Sequence, residues 1–415
     1  TDAYPYDSLA HWPPMTYRNS QLSSRQAIIE FINTLKTENT TKGPKELQPW
    51  IPFCDGKCAF CYFPVNCEKK TYDAYLDAMK KALLTYASSK YVKSTLFTEI
   101  YIGGGSPSVL NQTQIKDILG FCRVNFNLSK DCMTKFTACT KSLTPEKIKL
   151  LSKENVSQLD IGIQTFNEEM RKNLALRDSG KEAISKMKEA KKCELGLSID
   201  LLYNLPGQSL TQWEADLRQA LELGVESVDC YPLDLYSDTP LVRKINAGQL
   251  PPIGDFKKEL EMYNLAYTMF KDNGYFPTCH NRFSRLKEDR EPPSNEVIGT
   301  GSGFFMGCLG KYTYSDFEKV EDYINAVKTQ PLPIANIAIL SEADEMRREM
   351  MMIYVRVSVN RKDFKAKYGK YPEEAFPKAF AELRSKGLIS EENDIIRLSE
   401  KGDQWRFNVA WEFFK

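Results

Sequence analysis

The sequence predicts an α/β protein, with an open (β/α)6 barrel followed by a small winged-helix-like α+β domain. Strand-like and helix-like segments alternate about six times between residues 50 and 310, which is typical of parallel strands joined by helical crossovers. Glycines and polar residues follow several of these strands, where such barrels carry their chemistry. From about residue 340 the chain becomes helical and charged, and it ends in a short hairpin pattern.

The elements follow one another in a regular order. We expect a leader over 1–45, the barrel and its extension over 46–335, and a cap domain over 336–415. Apolar spacing within the barrel predicts helices near 71–89, 112–123, 181–192 and 210–223, and strands near 96–102, 133–138, 158–166, 196–202 and 227–233. Thr144 is the expected N-cap of a further helix that starts at Pro145.

The composition excludes several classes of function. The 415 residues include 56 basic and 55 acidic ones, so the net charge of +1 gives no reason to expect a nucleic-acid partner. No apolar run is long enough to span a membrane, and the first residues lack the pattern of a signal peptide. The 11 cysteines show no paired spacing, which is typical of reduced thiols, so we expect a cytoplasmic protein.

One short stretch, Pro52 to Cys61, carries the main chemical signal. Cys54, Cys58 and Cys61 stand in the pattern C-x3-C-x2-C, so three thiolates can meet near one point. Structural zinc usually takes four protein ligands, and no obvious fourth ligand follows at zinc-finger spacing. Three cysteines on a cluster of four irons leave one iron open to a small molecule.

A glycine run follows the next predicted strand. Gly103, Gly104 and Gly105 allow the backbone to approach a ligand closely, and N–H groups there can bind a carboxylate or an amine. Any tight turn from a strand to a helix could use the same run. Gln164 and Asp200 fall at the ends of two later strands, and therefore at the same edge of the predicted barrel.

Taken together, these motifs resemble the radical S-adenosylmethionine (SAM) superfamily, and within it the family around oxygen-independent coproporphyrinogen III oxidase. The matching segments are Pro52 to Cys61, Gly103 to Ser108, Ile161 to Phe166, Arg177, Ser198 to Leu201, Leu205 to Gln208 and Tyr236 to Leu241. The resemblance implies a 4Fe–4S cluster on the three cysteines. It also implies that Gly104, Gly105 and Ser106 contact the methionine part of SAM, and that Gln164, Arg177 and Asp200 hold its carboxylate and ribose. Arg177 could instead be a charge on a surface helix.

The sequence departs from the family pattern at three places. Phe63 stands where the family's decarboxylase has a further cysteine, and Trp50 stands where it has a histidine. The acid expected at the end of the third strand is missing from residues 136–140, and Thr137 is the expected substitute for its SAM contact. These departures favour the methyltransferase branch called class C, which uses two SAM molecules.

Two segments near the end of the barrel bear on the substrate. The glycines of residues 297–310, Gly301 and Gly303 among them, could open room for a second SAM or a flat apolar ligand, and a plain packing turn would explain them equally well. His280, in the stretch 279–282, resembles part of a haem-binding motif, although Phe283 and Ser284 replace its final aromatic pair. His280 is either structural or a haem-contacting or proton-donating residue.

The expected function is therefore radical SAM chemistry. We expect SAM to be cleaved to a 5′-deoxyadenosyl radical and a methyl or methylene group to be transferred from a second SAM to an sp2 carbon. The substrate would be apolar or aromatic, such as a tetrapyrrole, quinone or natural product, and reduced flavodoxin or ferredoxin would donate the electron. A haem-binding chaperone and an anaerobic coproporphyrinogen decarboxylase are the alternatives. The C-terminal domain is expected to cover the substrate rather than to bind DNA.

Overall fold

The computed structural model describes residues 4–10, 25–278, 281–285, 296–352 and 358–415. The chain packs as two compact units. The larger unit comprises Asn19–Ile253 and Ser294–Ile339, and the smaller unit comprises Thr1–Arg18, Gly254–Pro293 and Leu340–Lys415.

The elements of both units are named in chain order. The strands are β1 Lys45–Ile51, β2 Phe97–Gly104, β3 Leu128–Ala138, β4 Gln158–Gln164, β5 Gly196–Tyr203, β6 Ser227–Pro232, β7 Phe276–Pro277, β8 Arg282–Ser284, β9 Glu296–Thr300, β10 Gly307–Leu309, β11 Tyr312–Asp316, β12 Ile334–Ile339, β13 Ser358–Asn360, β14 Ile389–Glu392 and β15 Ile395–Leu398. The helices are α1 Arg25–Leu35, α2 Tyr72–Ser88, α3 Lys90–Lys93, α4 Gln112–Asn125, α5 Pro145–Lys153, α6 Glu168–Asn173, α7 Gly180–Lys192, α8 Leu210–Leu223, α9 Pro240–Asn246, α10 Phe256–Asp272, α11 Val320–Thr329, α12 Glu342–Met351, α13 Arg361–Tyr368, α14 Pro372–Ala375, α15 Pro377–Ser385, α16 Glu400–Gln404 and α17 Arg406–Trp411.

The larger unit is built on one sheet whose strands lie in the order β12-β11-β10-β9-β1-β2-β3-β4-β5-β6. Strands β1 to β6 pair with their sequence neighbours in parallel, as expected for an open six-stranded barrel. Alternate residues of β1 and β4 are buried, so each of these strands turns one face toward the apolar core. The fold class predicted from the sequence is confirmed. The sheet extends further than predicted, because β9 pairs in parallel with β1.

Helix caps set where the connecting loops end. Thr144 Oγ1 accepts a hydrogen bond from Lys147 N at 3.4 Å, which confirms the predicted N-cap of α5. Helices α4, α7 and α8 each begin with a capping box. Loops therefore leave the carboxyl ends of the parallel strands and enter helices at fixed points. The loop of residues 52–67, the turn of residues 103–106 and Gln164 all lie at or beyond those strand ends.

The smaller unit has its own core and a three-stranded antiparallel sheet in the order β13-β15-β14. Helices α13 to α15 precede the hairpin of β14 and β15, whose turn residues Asn393 and Asp394 both have positive φ. This arrangement agrees with the predicted winged-helix-like domain. The core also contains Leu260 of α10 and contacts Tyr6 and Leu9. Tertiary packing thus groups parts of the leader and of residues 254–293 with the C-terminal residues. The predicted boundaries at 45 and 335 divide the chain into contiguous segments and do not contain this grouping.

Among the described residues, no helix has the length and apolar character that crossing a bilayer requires.

Candidate cluster and SAM site

The cluster loop, residues 52–67, follows β1 directly. Its ends are held together because Cys54 N donates a hydrogen bond to Asn66 O at 3.1 Å. Within it, Cys61 N donates to Cys58 O at 3.2 Å, which forms a tight turn between two of the cysteines. These backbone hydrogen bonds define the shape of the loop.

The three cysteine side chains are half-buried, and their chemistry suits an iron–sulfur cluster. Burial raises the pKa of Cys54 and of Cys58 to about 12 and also raises that of Cys61, so cationic iron is needed to stabilise the thiolates. Within the described ranges, no three metal-binding side chains converge closely enough to hold a single ion. The assignment of the three cysteines as cluster ligands stays a prediction. Because each cysteine binds a different iron of a cluster, the donor set still fits a 4Fe–4S group.

The glycine turn after β2 packs directly against the cluster loop. Gly104 has φ +120°, and a Cβ there would overlap the Ile51 carbonyl. A Cβ on Gly105 would lie 2.9 Å from Cys54 Sγ. These glycines are thus required, because the backbone of the turn lies against β1 and against Cys54 of the cluster loop.

The amides of this turn already have partners. Gly105 N donates to Ile51 O at 2.8 Å and Ser106 N donates to Phe53 O at 2.6 Å. Ser106 Oγ lies 3.7 Å from Cys54 Sγ. A SAM contact here would accordingly use carbonyl oxygens or the Ser106 hydroxyl, which suit an ammonium group better than a carboxylate. The SAM contacts assigned to Gly104, Gly105 and Ser106 remain predictions.

Arg177 lies in the connection between α6 and α7, and not on a surface helix. Its guanidinium packs over Gly56 of the cluster loop, where φ is +114° and a Cβ would collide with it. The positive charge lowers the pKa of Cys58, although burial raises that pKa by more. Arg177 is thus an exposed cation held against the cluster loop.

A second arginine near the site, Arg171, was missed by the sequence analysis. It is 3% exposed and pairs with Asp178 through Nη2 and Oδ1 at 2.5 Å. Its Nη1 donates to Ile163 O at 3.0 Å and to Thr165 O at 2.8 Å. Arg171 therefore links the end of β4 to the loop that carries Arg177. Its sequence context resembles that of any helical surface arginine, so it gave no signal.

Gln164 and Asp200 lie on neighbouring strands. Gln164 has φ +68°, which is uncommon for a residue with a side chain and is often found at functional sites. Its amide folds over Gly162, where a Cβ would lie 2.7 Å from Nε2. Asp200 is paired across the sheet with Gly162 on one side and Asp229 on the other. Since β5 continues to Tyr203, Asp200 lies within its strand rather than at the predicted end.

The residue expected to replace the missing acid, Thr137, lies within β3. Its Oγ1 donates to Tyr101 OH at 3.1 Å. Cys139, two residues further on, lies just beyond the end of the strand, and its charge contributes to the pKa of both Cys54 and Cys58. The sequence analysis did not consider Cys139, although a thiol at the strand end was visible there.

The turn after β9 packs against Trp50. A Cβ on Gly301 would lie 2.6 Å from Trp50 Cβ and 2.8 Å from Tyr75 OH. The space that Gly301 leaves is thus filled by protein, which favours the packing alternative at this position. A Cβ on Gly303 would have its nearest neighbour, Trp50 Nε1, at 3.6 Å, an ordinary contact distance. The role of both glycines in binding a second SAM remains a prediction.

Asp316 anchors the turn after β9 through hydrogen bonds. It accepts hydrogen bonds from Thr300 Oγ1 and, at 2.9 Å, from Gly301 N. Burial raises the pKa of Asp316 to about 8, while these hydrogen bonds act in the opposite direction. The carboxyl group is therefore largely neutral at pH 7 and acts as a structural anchor.

Beside the cluster loop lies a set of aromatic rings that we call the aromatic face, formed by Trp50, Tyr62, Phe63, Tyr236 and Phe304. Tyr62 stacks on Tyr236 with ring centroids 4.0 Å apart, and Phe63 meets Phe304 edge-on at 5.1 Å. Trp50 and Phe63 are 6.5 Å apart. Tyr62, Tyr236 and Phe304 are 45%, 37% and 37% exposed. The face thus brings together the two departures Trp50 and Phe63 and leaves apolar ring surface accessible.

Comparison with known proteins identifies the family. A model described as the radical SAM superfamily matches residues 49–220, and one described as the HemN C-terminal domain matches residues 340–405. The chain is 30% identical to the heme chaperone HemW of Escherichia coli (strain K12) over 285 residues, which cover 66% of this chain and 71% of that protein. The chain belongs to the radical SAM superfamily, in its HemN/HemW-like family.

Other members of the HemN/HemW-like family match over more of the chain. The heme chaperone HemW of Bacillus subtilis (strain 168) is 27% identical over 85% of this chain and 94% of its own. The anaerobilin synthase of Escherichia coli O157:H7 is 25% identical over 89% and 84%. The solved structure of coproporphyrinogen III oxidase (HemN) from Escherichia coli covers 98% of this chain and 96% of its own with a TM-score of 0.81, and at 19% identity it shows a shared fold.

Membership of the radical SAM superfamily implies a 4Fe–4S cluster and SAM, and Cys54, Cys58 and Cys61 are the residues that would hold the cluster. His280 lies outside the described residues, so its role as a haem contact or proton donor remains a prediction. Three residues further along the sequence, Phe283 is 1% exposed and packs against Phe270 with ring centroids 5.0 Å apart. That ring is therefore a core residue rather than a ligand contact.

Proposed function

We propose that this chain is a haem-binding radical SAM protein, in which a flat tetrapyrrole lies on the aromatic face beside the cluster loop. The aromatic face is the observation that carries this proposal. Its exposed rings offer stacking surface to a planar apolar ligand. Trp50 and Phe63 occupy the positions where the resemblance expects a histidine and a cysteine in a porphyrinogen decarboxylase, which makes decarboxylation the least favoured alternative.

The names of the relatives favour haem over other flat ligands. Two of the relatives described above are named heme chaperones, and each of them is similar along most of its length. We therefore place the chaperone alternative ahead of the methyl transfer that the sequence first suggested. In this reading the protein holds haem next to the cluster and releases it unchanged.

In this proposal the protein's own residues bind and orient SAM and the tetrapyrrole. Once bound, the cluster supplies the electron for reductive cleavage of SAM. Arg177 keeps a cation at the cluster loop, and Gln164, in its left-handed conformation, presents an amide at the same edge. The turn anchored by Asp316 holds Phe304 beside the loop, against Phe63.

Methyl or methylene transfer from a second SAM is the second candidate. It is favoured by a relative that is named a synthase rather than a chaperone. Gly301 is a weaker part of this candidate, because Trp50 fills its space. We also propose that reduced flavodoxin or ferredoxin donates electrons and that the protein works in the cytoplasm, without a nucleic-acid partner.

Haem titration of the cluster-loaded protein tests the first candidate. We expect saturable growth of a Soret band at about one haem per chain, and about tenfold weaker binding in Phe304→Ala, since one ring contact contributes on the order of 1 kcal/mol. Leu84→Ala is the matched control, because Leu84 is an equally exposed apolar residue on α2. Equal affinity in all three proteins would contradict binding at the aromatic face.

Product analysis separates the two candidates. Reduced protein is incubated with haem and with SAM that carries deuterium in its methyl group. A chaperone returns intact haem without S-adenosylhomocysteine. A two-SAM methyltransferase gives modified haem together with S-adenosylhomocysteine and deuterium in 5′-deoxyadenosine. Modified haem without any methyl label would contradict both candidates.

A further inference from the structure

A surface beside the cluster loop carries several cations. Lys57 is exposed and directly precedes Cys58 in this loop. The exposed Arg177 adds a second positive charge, because its guanidinium packs over Gly56. The only acid of the cluster loop, Asp55, is half-buried. Two exposed cations therefore lie at the same part of the loop.

A hydrogen bond between two neighbouring loops brings further cations to the same surface. Thr140 Oγ1 donates to the carboxylate of Asp178. Lys141, which is exposed, follows Thr140 in sequence. Arg177 precedes Asp178, so both cations lie close to this bond. Lys186 Nζ, from α7, donates to Thr140 O. The name basic rim is used here for Lys57, Lys141, Arg177 and Lys186.

The acids around the basic rim offset only part of its charge. Asp178 is paired with the buried Arg171, with Nη2 and Oδ1 2.5 Å apart. Glu168 and Glu182 are exposed, but their carboxylates accept hydrogen bonds at 2.9 and 2.8 Å from the backbone N–H groups of residues 180 and 179. The N-terminus of α7 carries a partial positive charge that opposes theirs. The basic rim thus keeps a local excess of positive charge in a chain whose net charge is only +1.

We propose that the basic rim is the docking surface for the electron donor of the cluster, and that this donor presents an acidic surface. Electron transfer slows steeply with distance, so a donor has to bind close to the cluster loop, where Lys57 is the sequence neighbour of the expected ligand Cys58. Opposite charges speed such an encounter and orient it. One electron passes from the donor's reduced cofactor to the oxidised cluster, and no bond forms or breaks. The inference rests on the proposed reduction of the cluster and not on the tetrapyrrole.

Stopped-flow reduction of the cluster by a reduced flavodoxin, an acidic electron-transfer protein, tests this surface. In the double variant Lys57→Glu/Lys141→Glu, we expect a second-order rate constant at least about tenfold lower than in the wild type at low ionic strength. The difference should shrink at high salt, because salt screens charges at the surface. Equal rate constants for the wild type and this variant at low salt would overturn the proposal.

Two controls separate docking from other effects. The double variant Lys93→Glu/Lys130→Glu makes the same change of charge at exposed lysines near the starts of β2 and β3, and it should keep the wild-type rate constant. Slowing in both double variants alike would overturn the assignment to the basic rim. Excess dithionite should reduce the cluster to the same extent in all three proteins, which shows that each cluster is intact. A cluster that flavodoxin reduces through the basic rim but that cleaves no SAM would contradict the proposed function and support the docking surface.

Carbodiimide cross-linking of the wild type tests the same surface without any variant. The reagent joins lysine amines to carboxylates, so mass spectrometry should find flavodoxin joined to Lys57 or Lys141. Cross-links confined to lysines outside the basic rim would overturn the proposal. Salt-sensitive binding of a DNA duplex that prevents the cross-links to Lys57 and Lys141 would assign the basic rim to nucleic acid instead, and would also overturn it.

Discussion

At the scale of single residues, the site depends on a few side chains with distinct tasks. We propose that the cysteines supply the donors for the cluster and that Arg177 supplies a cation at the cluster loop. Asp316 anchors the turn after β9 through its hydrogen bonds with Thr300 and Gly301. The motif spacing alone carries the prediction that these cysteines hold the cluster. The packing of Gly301 on Trp50 could not be predicted, because these two residues are distant in sequence and meet only when β1 lies beside β9.

The ligand assignment makes a prediction about iron content. Reconstituted wild-type protein should hold about four irons per chain. Cys58→Ala should lose most of them, because a ligand of the cluster is removed. Cys67→Ala should keep them, because Cys67 is exposed and lies outside the motif. Equal iron loss in both variants, measured by colorimetric iron analysis, would refute the assignment.

Asp316 makes a prediction about pH and stability. Its pKa rises from an unfolded value near 3.9 to about 8 in the fold, so the native state holds an extra proton between these pH values. The free energy of unfolding should therefore fall as pH rises through this window, by at most about 1.4 kcal/mol per pH unit, and level off above pH 8.

Urea unfolding of Asp316→Asn between about pH 6 and 8 checks this dependence. Asparagine keeps an oxygen for Thr300 and Gly301 but cannot ionise, so the variant should lack this part of the slope. The control Asp131→Asn changes an exposed residue of β3 and should keep the wild-type slope. A slope in Asp316→Asn equal to that of the wild type would show that Asp316 does not titrate as described.

At the scale of elements, regular periodicity decided what the sequence could predict. Strands β4, β5 and β6 and helices α4, α7 and α8 alternate clearly and were predicted within a few residues. Strand β3 begins at Leu128. The predicted start near 133 was too late, because the first residues of the strand are mostly polar and give no apolar pattern. Strands β9 to β11 have only three to five residues each, too few for a periodic signal. Strand β9 joins the sheet by pairing with β1, and β10 to β12 follow it by antiparallel pairing.

The contact between β1 and the turn after β9 makes a prediction about glycine. Gly301→Ala should reduce the free energy of unfolding by about 1–3 kcal/mol, because the new methyl group would collide with Trp50 and Tyr75. Gly120→Ala is the matched control: no atom lies within 4 Å of the added group, and in helix α4 it should stabilise by up to about 1 kcal/mol. Urea unfolding of both variants measures the change in the free energy of unfolding. An unchanged free energy of unfolding in Gly301→Ala would contradict the described packing.

At the scale of the whole molecule, the larger unit places every predicted cofactor residue that the structure describes at or near one edge of a parallel sheet. The order of strand and helix was enough to predict that edge. Sequence could not predict that Leu260 shares a core with the C-terminal residues, because only tertiary packing brings it into one cluster with Met346 and Met350. Whether the protein is a chaperone or a transferase depends on the ligand that binds at this edge. The same fold can support several chemistries there.

The central claim is that a tetrapyrrole lies on the aromatic face next to the cluster, and magnetic interaction between the two groups tests it most directly. Copper(II) protoporphyrin is added to the reduced, cluster-loaded protein, and power saturation of the cluster's electron paramagnetic resonance signal is measured. We predict faster relaxation of that signal with the wild type and a clearly smaller effect with Phe304→Ala. Stoichiometric binding of the porphyrin to the wild type without any change in relaxation would contradict the account.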